Sequence, residues 1–199
     1  GVIDRIGFAP APPLLVPEVA SGAAPELDDL RAACDEMVLQ LLDGCDHLII
    51  LAERSAVELG EWLIARSGWP GAKDVISIDP AGPQPPELVV SQTEEHQSSA
   101  LLVMGDGSAC RTEKAPGYLD ERARPFDEEI AQYLAGVNTT ELAAMDQELA
   151  AELLVAGRFT WPIASAIVNA DARTWIGNLS YRDDPYGVSY FVALWRPES

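Results

Sequence analysis

Leu101-Leu102-Val103-Met104-Gly105-Asp106-Gly107-Ser108-Ala109-Cys110-Arg111 is a run of four apolar residues that enters a polar turn bracketed by glycines. A short continuous apolar run closed by glycines reads as a strand buried on both faces of a sheet. In open α/β sheets, ligands settle in the crevice outside the carboxyl ends of such strands. Asp106, Ser108 and Cys110 are therefore the polar groups expected to face a pocket, and they are the candidate catalytic residues.

On the amino-terminal side, Val2–Phe8 has the β-branched and apolar character of a first strand, and Asp46–Ala52 (DHLIILA) reads as a second buried strand. Between them, the proline-rich stretch Phe8–Val19 excludes helix and predicts an extended loop, with Leu14, Leu15 and Val16 pinned to the core. Pro25 opens a helix in which Leu27, Leu30, Cys34, Met37, Val38, Leu41 and Leu42 share one face. Ser55-Ala56-Val57-Glu58 has the form of a capping box, for a helix that ends at Gly68. Asp74–Asp79 is a third strand, Pro80–Pro86 a proline-rich connection, and Leu88–Ser91 an extended segment.

Beyond the glycine turn, helices are expected from Pro125 to Gly136, from Asn138 to near Met145, from Asp146 onward, and from Thr160. Arg173–Tyr181 and Val188–Trp195 read as a closing antiparallel strand pair. The pattern gives a single domain over residues 1–199. Its fold class is α/β, three-layered, with a mixed, largely parallel central sheet and helices on both faces.

Composition narrows the function classes. A chain of 199 residues buries roughly 70% of its unfolded surface, enough for a sizeable core. Thirteen basic against 32 acidic residues leave a net charge of −19. That surface repels phosphate backbones and anionic lipid, so nucleic acid and membrane are excluded as expected partners. No apolar stretch approaches the ~20 residues of a bilayer span, and the amino terminus has no basic segment leading into an apolar one. Three cysteines (Cys34, Cys45 and Cys110) without CxxC spacing form neither a disulfide framework nor a zinc site. Together these features point to reduced thiols and a cytoplasmic location.

Three stretches carry a resemblance. FAPAPPLLVPE (Phe8–Glu18), MGDGSACR (Met104–Arg111) and DDPYGVSYFVALW (Asp183–Trp195) resemble signature regions of the B-subunit fold of class III extradiol ring-cleavage dioxygenases, a fold shared with Memo-like proteins. The stretches between, APGY, FDEEIAQYL, ELAAMDQELA and AGRFTWPIA, follow in the family's order, whereas the segment between Glu53 and Ala100 is shorter than in the typical enzyme. The resemblance implies iron(II) held by two histidines and a carboxylate, with a further histidine as acid and base. Here the first ligand position is Ala11, the second falls at Glu53 or Arg54, and the catalytic histidine is replaced by Ala109. Only the carboxylate, at Asp183 or Asp184, survives in kind.

The chain's two histidines lie elsewhere. His47 starts its strand, at the opposite end from the crevice, and reads as a solvated or capping residue; His96, in EEHQSS, reads as a surface residue. The resemblance thus implies a scaffold that keeps the crevice without the iron site or the dioxygenase activity. Its expected work is binding a small molecule or a protein partner, with no cofactor. The expected lining is Ala11, Pro12, Glu53, Arg54, Gly105, Asp106, Gly107, Ser108, Ala109, Asp183, Asp184 and Tyr186.

The alternative is an enzyme with a refashioned crevice. It would use Mg²⁺ or Mn²⁺ on Glu53, Asp106 and Asp183 or Asp184, or the Cys110 thiol with its pKa lowered by Arg111. Ring cleavage itself ranks third. Backbone N–H groups of Gly105, Gly107 and Ser108 offer an anion cradle. Whether the aromatic-rich segment Tyr186–Trp195 is buried within one chain or across a homodimer stays open.

Overall fold

A computed structural model describes residues 1–17, 25–79 and 86–199. Six strands form one mixed sheet: β1 (Val2–Ala9), β2 (His47–Glu53), β3 (Ala72–Ile78), β4 (Ser98–Met104), β5 (Trp175–Asp183) and β6 (Tyr190–Pro197). Their order across the sheet is β3-β2-β4-β1-β6-β5. β4 lies between β2 and β1 and runs parallel to both, so each of Ala100 to Met104 is buried from above and below. The continuous apolar run is the consequence of this double cover. β6 turns antiparallel against β1, and β5 closes the edge against β6, as the last two strands led us to expect.

Seven α-helices accompany the sheet among the described residues: α1 (Asp28–Leu42), α2 (Val57–Ser67), α3 (Pro86–Ser91), α4 (Ala123–Gly136), α5 (Thr139–Ala143), α6 (Gln147–Glu152) and α7 (Trp161–Asn169). The alternating faces of each strand divide the core in two. Leu48, Ile50, Leu102 and Met104 pack against α1 and α2, through Leu30, Cys34, Leu41, Leu59 and Leu63. On the other face, Ile49, Leu51, Leu101 and Val103 share a cluster with Phe126, Ile130, Trp161 and Ile167 of α4 and α7. Each fully buried aliphatic side chain contributes roughly 1.5–3 kcal/mol.

Several local expectations are revised. Pro25–Leu27 is a 3₁₀ turn, and α1 begins only at Asp28. The capping box at Ser55 does not form: Arg54–Ala56 is itself a 3₁₀ turn, and α2 starts from Ala56 without a side-chain cap. Leu88–Ser91 is not extended but lies in the short helix α3, where Pro86 is the first residue and Val89 is buried. Of the three residues expected to pin the proline loop, Leu15 is buried in a 3₁₀ turn (Pro13–Leu15), Val16 is half-buried and Leu14 is exposed. Residues 18–19 of that loop, and 80–85 of the later proline connection, lie outside the described residues. Asp146 does cap α6, accepting from the Leu149 N–H at 3.0 Å.

The topology defines a crevice. The chain leaving β1 leads to α1 and the chain leaving β2 leads to α2, both on one face. The chain leaving β4 crosses to α4 on the other. Neighbouring strands whose connections part to opposite faces make a topological switch point, which opens a cleft at their carboxyl ends.

Candidate functional site

Asp106 is the polar group this crevice is built around. It follows Met104, the last residue of β4, by two positions, and its Oδ1 accepts from the backbone N–H of Ala11 at 2.7 Å. That bond ties the β4 loop to the loop after β1. The acceptor role of Asp106 thus runs across the sheet rather than within its own glycine turn. The turn itself is fixed by other contacts: Gly105 N–H donates to Ala9 O at 3.0 Å, and Gly157 N–H donates to Asp106 O at 2.9 Å. The Thr160 hydroxyl donates to Met104 O at 3.0 Å. Gly105 is required here because a Cβ would sit 2.7 Å from the Gly157 Cα, so the two backbones meet face to face.

Glu53, at the end of β2, shares the crevice with Asp106. A cavity of about 90 Å³ is lined by Ala11, Glu53, Ser55, Ala56, Met104, Gly105, Asp106 and Ala156. Glu53 Oε1 is buried with no hydrogen-bond partner among the described residues. Burial pushes the Asp106 carboxyl up to about 6, and the charge on Glu53 adds to that rise against the lowering bond from Ala11. Burial likewise raises Glu53, offset in part by Arg158. Arg158 is not a partner in contact: its Nη1 donates to Val155 O at 2.7 Å and its guanidinium lies 4.1 Å from the Phe159 ring centre. Two desolvated carboxylates, one with an orphaned oxygen, thus line a small cavity, and among the described residues no arginine or lysine bonds to either. Arg158, Ser55 and Tyr190, whose phenol is raised by burial and by Asp106, belong to this region, and none of them was expected there from the sequence.

Of the other expected pocket residues, Ser108 points away from the cavity. Its N–H and hydroxyl both donate to Asp127, at 3.0 and 2.5 Å. Asp127 is itself buried, on α4, and also accepts from Ser189 Oγ at 2.6 Å and from Arg111 Nη1 at 3.3 Å. Arg111 bridges onward to Asp184 at 2.9 Å. This buried network clamps the β4 loop to α4 and to the β5–β6 turn. The anion cradle is closed for the same reason: the N–H groups of Gly105, Gly107 and Ser108 are all spent on internal acceptors, Gly107 on Ser189 O at 2.8 Å.

Cys110 is no nucleophile candidate. Its thiol is buried, donates to Leu153 O at 3.5 Å, and is pushed up by burial and then by Asp120 and Asp127. Arg111 turns toward carboxylates rather than the sulfur.

A three-carboxylate cation site does not assemble either. Asp183 ends β5 at the far edge of the sheet, four strand spacings or roughly 19 Å from β2. It is exposed, and Asp184 is engaged by Arg111. Arg54 is exposed beside the crevice, while Pro12, Gly107 and Ala109 are buried but do not line the cavity. Tyr186 lines a separate open hollow with Thr112, Lys114 and Gly187.

The iron of the resembled family does not fit these residues. Methyl groups stand at Ala11 and Ala109, and neither histidine is near the crevice: His47 begins β2 at the opposite end of the sheet. No helix among the described residues is long and apolar enough to cross a membrane. No protein-family model matches the chain, and no curated protein matches its sequence.

Proposed function

We propose that the chain is a binding protein on a scaffold like that of the class III extradiol dioxygenase B subunit, with the iron positions substituted. Its crevice takes a small cationic ligand, and Glu53 and Asp106 are the recognising groups. The observation that carries this reading is the orphaned, buried Glu53 Oε1 beside the raised carboxyl of Asp106. Desolvated acids of this kind gain most from a partner that returns positive charge or hydrogen-bond donors to them. A cavity of about 90 Å³ admits a group of only a few heavy atoms, such as an ammonium head or a partly hydrated divalent ion. Magnesium is held in this manner by one or two carboxylates while keeping several waters.

Titration calorimetry on the full chain, with methylammonium in one arm and Mg²⁺ in the other, tests the proposal. Saturable binding of one equivalent in either arm is expected, weakened at least tenfold in both Glu53→Gln and Asp106→Asn. Heat in neither arm, or heat unchanged by both substitutions, overturns it. Protein loaded anaerobically with Fe²⁺ and given catechol and dioxygen is expected to form no ring-opened product; formation of that product would restore the dioxygenase reading.

A further inference from the structure

At the opposite end of the sheet, the column of residues that feeds one apolar cluster turns polar. His47, Asp74 and Ser99 each stand two positions before a member of that cluster (Ile49, Ile76 and Leu101), so all three side chains emerge on the same face at the amino-terminal edge. The register places His47 opposite Ser99 on one neighbour and Asp74 opposite Ile49 on the other. The sequence suggested a solvated His47. It is instead fully buried, with Nδ1 2.8 Å from Ser99 Oγ and Nε2 2.7 Å from Asp74 Oδ2.

His96 was expected at the surface. It is half-buried and stacks on His47, with ring centres 3.8 Å apart and planes 8° from parallel. The turn after α3 holds it there, His96 N–H donating to Thr93 O at 3.0 Å. Its ring nitrogens make no hydrogen bond among the described residues. One ligand atom from each of His47, Asp74 and His96 lies within 4.8 Å of the other two.

We infer that His47, Asp74 and His96 form a binding site for a divalent transition-metal ion of the zinc class, separate from the crevice. Two imidazoles and one carboxylate are the donor set such borderline ions prefer. The bond from His47 Nδ1 to Ser99 fixes the ring and leaves Nε2 as the ligand, the outer support that metal-bound histidines characteristically have. In the bound state Nδ1 carries the ring proton and donates it to Ser99 Oγ, Nε2 offers its lone pair to the ion, and any proton shared between Nε2 and Asp74 is released to solvent. Zinc–ligand bonds of about 2.0–2.1 Å require ligand atoms about 3.4 Å apart around a tetrahedral ion. The His47–Asp74 pair, 2.7 Å apart, opens to admit the ion, and the wider separations close by tilting His96, which is carried by a turn rather than a strand. Three protein ligands leave a fourth position for water, and the ion ties the turn before β4 to β2 and β3. Asp46, whose carboxylate accepts from the Gln97 and Ser98 N–H groups, adds negative charge at this end of the sheet.

Competition of the full chain with a chromophoric chelator for Zn²⁺ tests the inference. One Zn²⁺ per chain is expected, with affinity falling roughly 10–100-fold or more in His96→Ala and in Asp74→Asn. The partly exposed side chains of His96 and Asp74 keep these variants foldable, and circular dichroism checks that they are folded. Binding is expected to be unchanged in Asp183→Asn, an exposed carboxylate on the edge strand away from both ends' clusters. Co²⁺ in place of zinc is expected to give the intense visible absorption of tetrahedral coordination, absent in His96→Ala. Absence of stoichiometric Zn²⁺ binding by the wild-type chain, or binding indifferent to His96→Ala, overturns the inference and leaves a His47–Asp74 hydrogen bond alone.

Discussion

Asp106 retains an ionisable side chain where a neutral one would be more comfortable. Its folded-state value of about 6 lies above the unfolded value of 3.8, so between those limits the folded protein holds the extra proton. The stability this allows is fully present below about 4 and is lost as pH rises toward 6 and above. Asp106→Asn keeps the acceptor for Ala11 N–H and removes the charge. We therefore expect this variant to unfold at higher denaturant near pH 7.5, by on the order of 1–3 kcal/mol, with the advantage vanishing near pH 4. Equal or lower stability of the variant at pH 7.5 would contradict the burial of a costly charge. Asp106 was legible because a strand-ending glycine loop is a local signal. Its partner Glu53 was named through the resemblance, as the second ligand position and a carboxylate of the crevice, but its orphaned oxygen depends on packing that no local pattern carries.

The β4–α4 connection is held by a buried polar knot that the sequence did not disclose, since Ser108 and Arg111, Asp127, and Ser189 are spread over three segments. Asp127 accepts four hydrogen bonds there, so removing it strands the Ser108 N–H and two hydroxyls and leaves Arg111 with Asp184 alone. Asp127→Ala is expected to cost about 3–5 kcal/mol in chemical denaturation, the summed penalty of several buried donors left without an acceptor. A cost below 1 kcal/mol would mean that the knot is solvated. Further along, a Cβ on Gly157 would fall 2.1 Å from the Trp161 ring, and Gly157→Ala is expected to lower stability by about 1–3 kcal/mol through overpacking, read in the same experiment. Continuous apolar runs made β2 and β4 easy to place. PELVVS (Pro86–Ser91) misled because its two valines favour strand, while Pro86 at the first turn and burial of Val89 against the α7 face decide for helix.

Across the whole molecule, the sheet separates two polar ends. The carboxyl end holds the acidic crevice, and the amino end holds His47, Asp74 and His96. The mixed, largely parallel sheet with helices on both faces could be read from the alternation of strands and helices, but the strand order could not. That order puts Asp183 at an edge, far from Glu53, and brings His47 beside Asp74 and Ser99, partners 27 and 52 residues away. A net charge of −19 on this compact body repels itself, so the unfolding temperature is expected to rise between 10 mM and 0.5 M NaCl as screening grows. A fall would show that the ion pairs outweigh the repulsion.

The central claim, a desolvated carboxylate pair awaiting a cation, is tested most directly by following the Asp106 side-chain carboxyl carbon by NMR across a pH titration, with and without saturating Mg²⁺ or methylammonium. A midpoint near 6 that falls when one of these cations is added is the expected result. An ordinary midpoint near 4, unmoved by either cation, would contradict the claim.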